Sequence, residues 1–158
     1  GVQTCALPIC MGIQAFMLFT PWGWPTAEIL HFTGLCLLFG TIGLFDLRVL
    51  GWAKSIPLKA MHRFVPIGVA GFCINVITGV MFGTSDPDQY LYNPAVQTKA
   101  VLVLTAGVNM ILFYWLASRE LMALGTGEPA PARARFFTLI SLLDWKGDIA
   151  CGRLIHFY

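Results

Sequence analysis

A chain of 158 residues, 57% apolar and only 11% charged, is one domain by length but far poorer in charge than the roughly 25% of ordinary soluble domains. Its net charge of +2 is too small for a nucleic-acid binder, and the basic residues flank apolar runs instead of forming a patch. Five cysteines without a C-x-x-C pair argue against a structural zinc site or a disulfide framework.

Taken in chain order, residues 1–10 are expected to be a non-native or disordered leader, and they stand outside the functional reading. The first 27 residues carry no charge, unlike the basic start of a signal peptide. Residues 11–26 hold Pro21, Trp22, Trp24 and Pro25 and read as an interfacial segment, since Trp suits a water–lipid boundary. Thr26 is placed to cap a first helix, with Glu28 in its first turn.

Three apolar runs follow, Ile29 to Phe45, Phe64 to Ser85 and Ala100 to Ser118. Each is near the ~20 residues a helix needs to cross a ~30 Å hydrocarbon layer. With a fourth, more polar segment they predict an all-α integral membrane four-helix bundle over residues 27–158, with spans at about 28–50, 59–83, 96–118 and 136–157. Gly51 suits the C-terminal end of the first span. Pro66 predicts a kink or a late start in the second. The stretch from Arg119 to Arg135, rich in Gly, Pro and Ala, is expected to be a flexible loop. The fourth span carries Asp144, Lys146 and Asp148 at its centre, each costing several kcal/mol if it faced lipid alone. Either that face looks into the bundle or the segment lies partly in the interface.

Basic residues set the orientation. The first connector holds Arg48, Lys54, Lys59 and Arg63, the third Arg119, Arg133 and Arg135, and the second Asp86 and Asp88. Connectors 1 and 3 are therefore expected to be cytoplasmic. A fifth helix made from the charge-free N-terminus is an alternative that leaves these loops in place.

Several polar groups are candidates for chemistry. His31 and His156 fall at similar depth near the outer face and form a candidate metal or haem b ligand pair. His62 lies at the opposite end of the bilayer from His31 and cannot share one metal with it. Lys99 and Arg153 are placed to bind a haem propionate or a lipid head group. At the inner end Asp46, Arg48, His62, Arg63 and Arg119 are expected to form an ion-pair network. In mid-span Asn75, Asn109, Asp144, Lys146 and Asp148, with Thr78 and Thr105, can hydrogen-bond between helices or line a polar path. No phosphate-binding loop, H-E-x-x-H or G-x-S-x-G motif supports an enzyme.

The succession P-x-x-E-I-L-H-F-x-G from Pro25 to Gly34, D-L-R-V-L-G from Asp46 to Gly51, N-P-A-V-Q-T-K from Asn93 to Lys99 and G-R-L-I from Gly152 to Ile155 resembles a family of small bacterial inner-membrane proteins. That resemblance implies four membrane helices and brings no activity or catalytic residue with it. A looser similarity, to copper-resistance-D-type and cytochrome-b-type membrane proteins, is what suggests haem. The expected function is a small inner-membrane protein that binds haem or metal near its outer face for electron transfer. The alternatives are a structural or assembly subunit of a membrane complex and a transport or permeation subunit using the mid-span polar residues. The lipid bilayer is the expected partner, with a homo-oligomer or a larger membrane complex as further expectations.

Overall fold

The computed structural model describes residues 8–125 and 127–155. The described residues are all-helical, with no strand. Helix α1 spans Pro8–Phe19 and α2 spans Gly23–Leu38. A π-helical turn, Phe39–Gly43, links α2 without a break to α3, Leu44–Leu50. After a turn come α4, Leu58–His62, and α5, Val65–Ser85. The short α6, Pro87–Leu91, precedes α7, Pro94–Leu116, which is followed by α8, Ser118–Ala123, and α9, Ala132–Leu154. Among the described residues three stretches are long and apolar enough to cross a membrane: Gly23–Leu50, Leu58–Ser85 and Pro94–Leu116. Helix α9 matches the last in length, at 23 residues, but its charges keep it outside that set.

Local chemistry explains the boundaries. Asn93 caps α7 by accepting from the Ala95 amide at 2.9 Å, and Pro94 follows at the first helical position, where no amide hydrogen is needed. Asp86 caps α6 in the same way through Gln89. Gly51 ends α3 at φ 109°, a left-handed conformation that side-chain-bearing residues avoid. Pro66 lies in the first turn of α5 and accounts for the break after His62: the helix restarts at Val65.

The helices pair α2 with α5 and α7 with α9, and α3 joins the pairs by packing on α9. Backbones touch where side chains are missing. A Cβ on Gly71 would lie 2.6 Å from the Gly34 carbonyl oxygen, and one on Gly34 would lie 2.8 Å from that of Gly71. Gly68 admits Thr41 and Ile42 of the π turn in the same manner.

Three details correct the sequence reading. Helix α2 begins at Gly23 with Trp22 at its cap, so Thr26 sits inside the first turn and caps nothing. The backbone closes early because α1 docks on α2 and α5, and a side chain at Gly23 would collide with the Phe16 carbonyl oxygen. Residues 11–26 are accordingly mostly helix, with Met17 buried. The Arg119 to Arg135 stretch is not a loop throughout: α8 forms because Leu121 is drawn into a cluster with Phe45, Val49, Leu58 and Ala117.

Gly71→Ala is expected to destabilise the fold by about 1–3 kcal/mol through overpacking at the Gly34 contact. Gly107→Ala, where an added methyl meets nothing within 4 Å, is expected to leave it unchanged. Unfolding of the detergent-solubilised protein followed by circular dichroism checks both.

Candidate functional site

Helix α9 is polar on the inside. Thr138, Ser141, Asp144 and Asp148 are spaced three or four residues apart, which puts them on one helical face. Thr138, Asp144 and Asp148 are buried, while Phe136, Leu139, Leu143, Ile149 and Leu154 point outward. The two aspartates that look costly in the sequence therefore face α7. Lys146 does not join them and is exposed.

The seam between α7 and α9 begins, near the start of α7, with Lys99, whose ammonium lies 3.7 Å from Asp148 Oδ2. Further in, the Thr105 hydroxyl lies 3.2 Å from Asp144 Oδ1 and shares its hydrogen with the Leu102 carbonyl at 2.8 Å. Asn109 Nδ2 then donates to the Phe137 carbonyl at 3.0 Å. Asp46 of α3 arrives from the third side, only 5% exposed, with Ser141 against its carboxylate.

These groups are not fully satisfied. Asp46 Oδ2, Asp144 Oδ2, Asp148 Oδ1 and Thr138 Oγ1 are buried with no hydrogen-bond partner. A buried polar atom without a partner costs about 1–3 kcal/mol, and a charged one more. Native proteins carry few of them, and those they do carry ask for a ligand, a water or a proton. A cavity of about 80 Å³, mostly apolar, is reached by Asp46, Asn109, Thr138 and Ser141, while Asp144 and Asp148 do not line it. That volume is enough to hold at least one water molecule. Near the end of α7, Tyr114 lines the same cavity, and Tyr114 Oη lies 3.0 Å from His62 Nε2.

The remaining predicted residues fall elsewhere. His31 Nδ1 lies 2.7 Å from Thr78 Oγ1, and Thr78 donates its own hydrogen to the Ile74 carbonyl at 2.7 Å. When Thr78 gives its hydrogen to Ile74, Nδ1 is the donor of this pair and Nε2 of the neutral ring carries the lone pair. His156, the expected second ligand, lies outside the described residues. Among the described residues no three His, Cys, Asp or Glu side chains gather as a metal site. Arg153 occupies the last turn of α9, exposed. Lys99 turns to Asp148, and Glu28 accepts from Trp24 Nε1 at 3.1 Å. Asn75 donates to Gly71 of its own helix at 3.0 Å and so stays out of the seam.

The inner ion-pair network is not formed. Arg48, 1% exposed, sends Nε to the Ile56 carbonyl at 2.7 Å and Nη2 to the Lys54 carbonyl at 3.1 Å. Its fork of donors is taken up by two carbonyls of the turn after Gly51, and the fixed geometry of the guanidinium suits such a double contact. Arg63 and Arg119 are exposed, and among the described residues no ion pair links them to Asp46. Thr138, Ser141 and Tyr114 escaped the sequence reading. The three-and-four spacing that joins Thr138 and Ser141 to Asp144 and Asp148 was the signal that could have found the first two.

Compared with known protein families, with curated proteins and with solved structures, the chain finds no match. The roles of these residues therefore rest on their own geometry.

Arg48→Ala is expected to cost about 2–4 kcal/mol, because a fully buried side chain is removed and two turn carbonyls lose their donor. Arg48→Lys is expected to recover only part of it, one ammonium being unable to reproduce the fork. Denaturant titration in detergent, read by tryptophan fluorescence, tests the ranking.

Proposed function

We propose that this chain is a four-helix integral membrane protein of the bacterial inner membrane, with α9 as its fourth span, and that it passes protons or small cations along the seam between α3, α7 and α9. The observation that carries the reading is the set of buried aspartate oxygens at Asp46, Asp144 and Asp148 without partners, inside a shell of outward apolar side chains. Ionisable groups inside a membrane bundle are costly and mark ion or proton pathways. At 1.5 Å per residue, α9 is ~34 Å long, enough to cross a ~30 Å layer. Its outward Phe136, Leu139, Leu143 and Ile149 suit lipid, and Lys146 lies about two turns from the outer end, within reach of the head groups by snorkelling. Connectors 1 and 3, with their Arg and Lys residues, face the cytoplasm in this reading.

A second reading, haem b or metal at the outer end, draws on the open Nε2 of His31. An imidazole whose other nitrogen is held by a hydrogen bond is oriented as ligating histidines are. The second ligand would be His156 or a histidine of another copy. If purified protein shows a Soret band that His31→Ala leaves untouched, His31 is not its ligand.

For the passage, purified protein in liposomes holding a pH-sensitive dye is expected to speed the decay of an imposed proton or cation gradient. Asp46→Asn and Asp144→Asn are each expected to slow it about tenfold or more, as loss of a positioned proton carrier does. Asp46→Asn is also expected to unfold no earlier than the parent, since an unpartnered buried carboxylate is a burden on the fold. Equal decay in the parent and both variants would remove the seam from consideration.

A further inference from the structure

We infer that the species carried is the proton, and that the His62–Tyr114 pair is where it is taken up at the inner end. This rests on the passage proposed above and names its substrate. His62 is the last residue of α4 and is half-buried at the end of the bundle. Its Nε2 is 3.0 Å from Tyr114 Oη, within the ≈ 2.6–3.2 Å over which a proton is handed from one heavy atom to the next. The tyrosine is one of the polar groups lining the cavity that Asp46 also reaches. Tyr114, 37% exposed, thus stands between the surface and the cavity, with His62 beside it at the end of α4.

The surroundings favour a proton over a metal cation. The His62 ring packs edge-on against Phe45 at 6.2 Å and against Tyr114 at 5.8 Å, and Phe45 packs edge-on against Phe113 at 6.0 Å. Phe45 and Phe113 are buried and belong to the apolar cluster closing this end. A sodium or potassium ion needs several oxygen ligands to replace its water, and an aromatic wall with the one hydroxyl of Tyr114 does not supply them. A proton needs a single hydrogen bond. The other titratable groups around His62 are Lys59 on its own helix and the neighbouring Arg63, Asp46 and Arg48 of α3, and Arg119 and Glu120 of α8. Imidazole is the side chain suited to gain and lose a proton between pH 5 and 8.

The transfer balances without a redox partner. An imidazolium at His62 gives its Nε2 proton to Tyr114 Oη, the phenol's own proton passes through cavity water to the Asp46 carboxylate, and the neutral imidazole takes a proton from cytoplasmic water. One proton moves inward along the seam, and both His62 and Tyr114 end as they began.

Proteoliposomes carrying the full chain test this, with internal dyes for pH, sodium and potassium. The parent is expected to dissipate a pH gradient and leave sodium and potassium gradients standing. His62→Gln, which keeps a hydrogen-bonding group beside Tyr114 but cannot shuttle protons, is expected to slow proton flux about tenfold or more with unchanged thermal unfolding. His62→Ala is expected to lose flux equally and regain it when imidazole is added on the inner side. Tyr114→Phe is expected to lose it without such rescue. If His62→Gln conducts like the parent while Asp46→Asn does not, the intake is overturned and the seam stands. Sodium or potassium movement at the proton rate overturns the choice of proton. A parent that moves none of the three overturns intake and passage together.

Discussion

An aspartate oxygen buried without a partner loses the hydration it had in water and gains nothing in return. This chain places three such carboxylates on the inner faces of α3 and α9, and much else in the fold answers to them. Helix α9 turns its apolar side outward, the reverse of a helix on the surface of a water-soluble domain. Thr105, Ser141 and Lys99 meet one oxygen of a carboxylate each and leave another open. A bundle built only for stability would fill these positions with well-packed apolar residues at no loss, or with a gain of about 1–4 kcal/mol. Their presence is the physical ground for assigning the seam a task.

The two helix pairs divide the labour. The α2–α5 pair is held by backbone contact at Gly34, Gly68 and Gly71, where the lack of Cβ atoms lets dispersion act over a short distance. The α7–α9 pair is held by side chains and carries the polar groups. His31 and Thr78 lie on the α2–α5 pair, away from the seam, so the haem reading and the passage draw on different halves of the molecule.

Much of the architecture was legible in the sequence because hydropathy and helix-end chemistry act locally. The three apolar spans, the turn at Gly51, the late start of α5 at Pro66 and the polar turn around Asp86 and Asn93 follow from residues near each site. The docking of α1, the burial of Leu121 and the direction of Arg48 did not, since each is decided by a distant partner: the Phe16 backbone at Gly23, the Phe45 cluster, the carbonyls of Lys54 and Ile56. The site was half legible. Asp144 and Asp148 stood out by charge, but Asp46 was assigned to an arginine it does not meet. Tyr114 carried no signal in the sequence, since only the fold sets His62 beside it.

The π turn at Phe39–Gly43 gives the first long helix its double allegiance. An α-helix advances 100° per residue, and a wider turn absorbs one extra residue, so everything beyond it is out of phase with what precedes by up to about that angle. Before the turn the buried side of the rod meets α5, through Gly34 and Leu38; after it, the buried side meets α9, through α3. The rod behaves as a swivel frozen at one setting. Tightening those five residues into regular α-helix would wind Asp46 away from Ser141 and the cavity while leaving the Gly34 crossing where it is. That single wide turn thus sets Asp46 against the cavity while Gly34 stays against Gly71.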